Sequence, residues 1–488
     1  MNLIDLFEQR ARRQPRSPAI LGPKEDVILS YGELLQQVDE TAGALAEAGV
    51  ECGQCVGLHY PSGLDYIRLT YALWRLGACV VPIPVELKSG EKLRICRDIA
   101  LHHVITNPAG SRTFETAIAT PFGKLQYGLI AATRRHRDPP PEFARVNAAF
   151  IRFTSGTTGA SKGVVLSHET IRDRISAAND ALRIDSQDRV LWLLSMSYHF
   201  AVSIVSYLSH GAGIVLAPNH FARPLIDACR HHGVTLIYGA PMHYDLMAAD
   251  KGDDRLPSLR LAISTTIALR RQTVEAFQRR FGHRLSQALG VIEIGLPCMD
   301  LLMPEEKWGT VGRLLPAYQI RMDDVGMGDQ LREIKFRGKG FFDAYYDPWR
   351  WRDEVMQDGW FSTGDLGMLD DEGYLFIRGR NKDVINVAGM KFFPQEVEEV
   401  LNAHPDIHES CVYAHRHDLF GEVPHARIVL ESTGRGIDEK ALRHYLAERL
   451  APYKIPEHFV FVPSLVRTAS GKLVRDENRI LQQQQEQS

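Results

Sequence analysis

Residues 55–85 read CVGLHYP, then SGLDYIRLTYALWRLGA, then CVVPIPV: an apolar run, a helical period and a second apolar run. Short apolar runs bounded by glycine and proline are the mark of strands buried on both faces. Two such strands joined through a helix form a β-α-β alternation, which predicts an α/β architecture for this part of the chain. YGELLQQVDETAGALAEAG (31–49) before them has helical spacing and a C-cap signal at Gly49. GAGIVLAP (211–218) and GVTLIYGAP (233–241) extend the same grammar.

Near residue 310 the pattern changes. YQIRMDD (318–324), EIKFRGKG (333–340) and YLFIRGR (374–380) read as short strands, with DDEG (370–373) as a hairpin turn. Beyond Arg380 lies a compact α+β unit. Its helix PQEVEEVLNAHP opens near Pro394 and places Val397, Val400 and Leu401 on one face. The glutamine run of 482–488 is low-complexity and is expected to be disordered. A chain of 488 residues exceeds what one core supports, so two or more domains are expected.

A net charge of -3 gives no reason to expect nucleic acid or an anionic membrane as partner. No run approaches ~18 apolar residues, so no membrane span is expected. MNLIDLFEQRARRQP reads as the start of an amphipathic helix rather than a signal peptide, and a cytoplasmic protein is expected. Seven scattered cysteines argue against a disulfide framework. The one Cys-x-x-Cys pair, Cys52 and Cys55, lacks a second half and reads as a turn feeding a strand.

Residues 153–168, FTSGTTGASKGVVLSH, crowd Thr154, Ser155, Gly156, Thr157, Thr158 and Gly159 ahead of Lys162. Glycine lets successive N–H groups turn inward, hydroxyls add donors, and a lysine supplies charge; together these suit phosphate oxygens. The Walker pattern fails, because Ser161 stands where a glycine is required and Gly163 follows Lys162. Taken alone, the stretch reads either as a phosphate loop or as a Gly/Ser/Thr turn.

TSGTTGASKG nevertheless closely resembles the phosphate-binding signature of the adenylate-forming (AMP-binding) superfamily of acyl- and aryl-CoA synthetases, peptide-synthetase adenylation domains and luciferases. GVIEIG (290–295), GWFSTGDLG (359–367), YLFIRGRNKDVINVAGMKFFPQEVE (374–398) and RTASGKLVR (467–475) follow in the family's order. The resemblance implies an α/β fold: a large multi-subdomain N-terminal domain, 1–381, of α/β sheets plus a small β-barrel-like part, and a small α+β C-terminal lid, 382–488, hinged near Lys382. It implies that ATP activates a carboxylic acid to an acyl-adenylate, releasing pyrophosphate. The thiol of CoA, or of the phosphopantetheine arm of an acyl carrier protein, then displaces AMP. A non-catalytic adenylate-binding protein is the alternative of another class.

Residue by residue, the resemblance gives the loop and Lys162 to the phosphates. Glu293 becomes the magnesium ligand, with Thr157 as a hydroxyl contact, and Asp365, backed by Arg380, takes the ribose hydroxyls. Thr266, Ile267, Ala268, Leu289 and Gly290 border the nucleotide. Lys472 bridges carboxylate and α-phosphate, and Gly389 lines the thiol's path once the lid has swung. His199 aligns with the gate of acyl- and aryl-CoA synthetases, or is a packed core histidine. Tyr198, Tyr238, Gly239, Thr265, Val291 and Ile292 are expected to line the acid pocket.

The chain departs from the family in three places. Leu289 stands for an adenine-stacking aromatic, Ile292 for a threonine, and Ser264-Thr265-Thr266-Ile267-Ala268 for a glycine-rich segment. SMSYHFAVS (195–203) carries no acidic residue to hold an α-ammonium, which disfavours an amino acid. An aryl or a short-to-medium acyl carboxylate remains.

Overall fold

The computed structural model describes the chain except residues 1, 24–26, 109, 111–112, 115–119, 122–128, 133–137, 154–161, 218, 266–267, 302–303, 326–330, 432–436, 469–472 and 486–488. The described chain divides into two compact units, one of residues to 319 with 337–359, the other of 320–336 with 360 onward.

The first unit contains two nine-stranded mixed sheets. One runs Arg313–Leu314, Gly295–Met299, Leu285–Val291, Leu261–Ser264, Leu236–Gly239, Arg189–Trp192, Gly213–Leu216, Pro18–Leu21, Leu29–Ser30. The other runs Trp349–Trp351, Ala344–Tyr346, Gly163–Ser167, Ala148–Phe153, Cys79–Pro82, Cys55–His59, His103–Thr106, Leu129–Ala132, Thr120–Pro121. The β-α-β expectation holds: Cys55–His59 and Cys79–Pro82 pair in parallel, joined through helix Leu64–Arg75. Every residue of both strands is buried, which explains why they read as unbroken apolar runs.

Helix Tyr31–Glu47 ends where expected, with Gly49 in the left-handed region at φ 92°. Helix Leu3–Arg13 is capped by Asn2 and Asp5 in a reciprocal box. Phe7 stacks toward Tyr71, which meets Trp74, which in turn meets Phe150 and Phe200, so a chain of rings fills the space beside the helices. All seven cysteines are free thiols, and Cys55 is buried in its strand, in keeping with a structural role.

The second unit holds nearly all of a four-stranded sheet, Tyr318–Asp324, Arg332–Gly338, Phe361–Leu369, Leu375–Arg380. Asp370–Gly373 makes the expected turn between the last two, which pair antiparallel. A five-stranded sheet follows, with Met390–Phe392, Ile385–Val387, Gly421–Leu430 and Ile407–His417 in order and His458–Phe461 pairing Gly421–Leu430. Helix Pro394–Asn402 buries Val397 and Leu401 in this core, together with Leu442 and Leu446 of helix Glu439–Ala447. Lys382 falls between the two sheets, in the short turn Asn381–Asp383.

One expectation is corrected. The first part of the glutamine run is not disordered: Glu477–Gln485 is helical, while 486–488 lie outside the described residues. Ile480 is buried against Tyr413 and Val474, so tertiary packing anchors the helix at its start. Glutamine is itself a fair helix former, and the helix runs on through the anchored turn.

Candidate active site

Strand Leu285–Val291 turns at Ile292, Glu293 and Ile294 into strand Gly295–Met299, with a register shift between Leu289 and Val291. Hydrogen bonds from several elements hold this turn. Ile294 N–H donates to the Val291 carbonyl at 3.0 Å, and Phe342 N–H donates to the Glu293 carbonyl at 2.8 Å. Arg174 Nη1 donates to the Ile292 carbonyl at 2.9 Å while its Nε donates to the Gly340 carbonyl at 2.5 Å. A further contact orients the side chain: the Tyr345 hydroxyl donates to Glu293 Oε1 at 3.1 Å.

Tyr345 reaches this position because Ala344–Tyr346 pairs with Gly163–Ser167, setting Tyr345 opposite Val164. The same pairing brings Lys162, just before that strand, to 4.7 Å from the Tyr345 ring centroid. A carboxylate, a phenol and an ammonium thus gather at one place. Burial, and next the Glu293 charge, push the Tyr345 phenol well above its usual range, so it stays protonated and can only donate to the carboxylate.

Two arginines add positive potential. Arg174 is 2% exposed. Burial pushes its guanidinium down to about 10, and burial with Arg174's charge does the same to Arg152. Both stay charged near neutrality, and both are attracted to Glu293. Arg152 Nη2 also donates to the Tyr198 carbonyl, tying that segment to strand Ala148–Phe153.

The expected acid-pocket residues converge in part. Trp192 and Tyr238 face each other across adjacent parallel strands, their rings 6.1 Å apart and 10° from parallel. His199 meets Tyr238 edge-on at 6.4 Å and Trp192 at 6.5 Å. Thr265 N–H donates to the Gly239 carbonyl at 3.1 Å, and its hydroxyl donates to the Ala288 carbonyl at 3.4 Å. Thr265 therefore links the aromatic patch to the strand of Leu289 and Gly290. Leu289 and Val291 are half-buried, while Gly290 and Ala268 are exposed.

In the second unit, Asp365 and Arg380 sit opposite each other on neighbouring strands, with Arg380 Nε 3.1 Å from Asp365 Oδ1. The Asp365 side chain is 12% exposed and that of Arg380 43%, so the pair has an open side. Lys382 beside it is held below its usual pKa, chiefly by burial. Ala388 at φ 48° and Gly389 at φ 93° form the two-residue turn between Ile385–Val387 and Met390–Phe392. Gly389 N–H donates to Asn386 Oδ1 at 2.9 Å, so the turn is held from its own strand. Thr154, Ser155, Gly156, Thr157, Thr158, Gly159, Thr266, Ile267 and Lys472 lie outside the described residues.

Residues 7–346 match the family model described as AMP-binding enzyme, and residues 396–472 match AMP-binding enzyme C-terminal domain. The chain belongs to the AMP-binding enzymes. Among curated relatives, an indoleacetate–CoA ligase of Aromatoleum aromaticum is 30% identical, covering 99% of this chain and 98% of its own. A sulfoacetate–CoA ligase of Cupriavidus necator is 28% identical, covering 97% of this chain and 96% of its own. Of solved structures, an O-succinylbenzoate coenzyme A synthetase from Bacillus subtilis, in complex with ATP and magnesium ion, superposes with a TM-score of 0.81. It is 25% identical and covers 97% of this chain and 99% of that one.

The residues present in this AMP-binding enzyme fit a magnesium ion. Magnesium takes hard oxygen ligands, and Glu293 offers a carboxylate whose orientation is fixed by the Tyr345 phenol. Tyr345, Arg152, Arg174 and Trp192 are functional candidates that the motifs do not contain. Two left a trace in sequence. Arg152 is a lone charge in the apolar run AAFIRF, and Arg174 lies on the stripe of Ile171, Ile175 and Ala178 in helix His168–Leu182.

Proposed function

We propose that this chain is an AMP-forming carboxylate–CoA ligase for an aryl or aryl-substituted acid. It activates the acid with ATP to an acyl-adenylate, releasing pyrophosphate, and passes the acyl group to the thiol of CoA. The carrying observation is the Glu293–Tyr345–Lys162 assembly, which gathers an oriented carboxylate and a cation that follows the Thr154–Gly159 loop by three residues in sequence. The names of the curated relatives, which are CoA ligases, support the thiol acceptor.

Each step asks something of named residues. Lys162 and the loop neutralise the β- and γ-phosphates. Glu293, with Thr157, would hold the magnesium ion, which when bound offsets phosphate charge. Asp365 accepts hydrogen bonds from the ribose hydroxyls, and Arg380 pairs with it. Lys472 bridges the acid and the α-phosphate, lowering the barrier by placing a cation where charge develops. The lid beyond Lys382 then turns, Lys472 leaves, and Gly389 enters beside the incoming thiol. Trp192, Tyr238 and His199 supply flat apolar surface for the acid, and segment 195–203 carries no carboxylate to pair an amino group. ATP and CoA are cytoplasmic substrates, and we place the enzyme there. No helix among the described residues is long and apolar enough to cross a membrane.

The test is a panel of aryl, arylacetic, acyl and amino acids scored by pyrophosphate release. Activity on aromatic acids with none on amino acids supports this reading. Preference for an amino acid overturns the substrate assignment.

A further inference from the structure

The C-terminal sheet carries a cluster of imidazoles that the adenylation chemistry does not use. Strands Ile407–His417, Gly421–Leu430 and His458–Phe461 lie side by side, with Tyr413 opposite His425 and His425 opposite His458. His415, two residues along from Tyr413, projects to the same face, and its ring stacks on His425 at 4.2 Å. His458 meets His425 edge-on at 4.9 Å. Helix Glu477–Gln485 closes the face, and Glu477 Oε1 lies 2.6 Å from His415 Nδ1. One donor atom from each of His415, His425 and Glu477 lies within 4.8 Å of the other two.

The second observation is an orphan. His425 is 8% exposed, and its Nε2 has no hydrogen-bond partner among the described residues. A buried imidazole nitrogen without a partner is costly, and native structures satisfy most such atoms with a protein group, a water or an ion. Burial, with His415 and His458 alongside, holds the His425 pKa down to about 4, so at neutral pH its ring is uncharged. An uncharged imidazole is the form that binds a metal.

We propose that His415, His425 and Glu477 form a zinc-class divalent metal site, with water completing the shell. Two imidazoles and a carboxylate are a donor set that zinc accepts, at bonds of about 2.0–2.2 Å. Side-chain rotation must draw the donors to roughly 3.3 Å apart to meet that tetrahedron. The bound ion pins the helix to the sheet. Glu477 stands five residues after Lys472, so the ion also fixes the base of the segment carrying the adenylation lysine.

The experiment uses tag-free, chelator-stripped full-length protein titrated with zinc chloride by calorimetry, with the melting temperature followed in parallel. One ion per chain and a rise in melting temperature are expected. His425→Gln and Glu477→Gln should each weaken binding by at least about tenfold. His415→Gln, at a more exposed position, serves as a further variant should His425→Gln fail to fold. Cys52→Ser, which removes an exposed thiol, should leave binding unchanged. Cobalt in place of zinc should give tetrahedral absorption bands that the Gln variants lose. No saturable binding, or binding unaltered in the folded Gln variants or abolished by Cys52→Ser, overturns the proposal.

Discussion

The Tyr345 hydroxyl donates to Glu293 Oε1 across 3.1 Å while the ring of the same tyrosine lies 4.7 Å from the Lys162 ammonium. One side chain therefore positions both charges that the triphosphate is expected to meet. Tyr345→Phe keeps the ring and removes the donor. Hydrogen bonds to charged groups are worth ~1.5–3 kcal/mol, so adenylation should fall roughly tenfold to a hundredfold. The loss should appear in pyrophosphate exchange with a raised magnesium requirement. Unchanged exchange kinetics would remove Tyr345 from the site.

Arg174 holds the Glu293 turn from a buried helix by donating to the Ile292 and Gly340 carbonyls. Arg174→Met keeps much of the volume but leaves both carbonyls without that donor. The variant should lose roughly 2–4 kcal/mol of stability, read from urea denaturation. A variant as stable as the parent would show that water or another donor replaces the guanidinium without cost.

Lys472→Ala should nearly abolish adenylation and slow thioester formation from synthetic acyl-adenylate much less. The two half-reactions, assayed separately, decide it. Equal loss in both would contradict the turning of the lid about Lys382.

Asp365→Asn should raise the KM for ATP more than it lowers kcat, because the carboxylate is assigned to binding the ribose. Arg380 would then face an amide instead of its ion partner at 3.1 Å. An unaltered KM would move the ribose site elsewhere.

Burial holds His59, His168 and His243 down to about 4 from an ordinary 6.5. Leu3 N–H donates to His168 Nδ1 at 3.2 Å, which requires that ring nitrogen unprotonated. The folded state thus takes these protons only near pH 4, whereas the unfolded chain takes them near 6.5. Stability from this source is complete above about pH 6.5 and is lost as pH falls toward 4. The urea midpoint should drop between pH 7 and 5; a constant midpoint would deny that these rings are neutral in the fold.

The parallel strands around Cys55 and Cys79 were legible because burial on both faces writes itself as an apolar run. Glu293, Asp365 and Arg380 were singled out because they sit inside contiguous motifs. Tyr345 was not, since it reaches Glu293 from 52 residues away through a strand pairing that no local pattern encodes. Arg174 acts on Ile292 across 118 residues, and only its place on an apolar stripe hinted at burial. The helix at 477–485 was missed because composition describes its glutamines but not the Ile480 anchor.

The most direct measurement is exchange of labelled pyrophosphate into ATP, with magnesium and a panel of carboxylic acids, followed by addition of CoA. The account predicts exchange that depends on an aromatic acid, and AMP release that accelerates when CoA is added. Absence of exchange with every acid, or release indifferent to CoA, would contradict it.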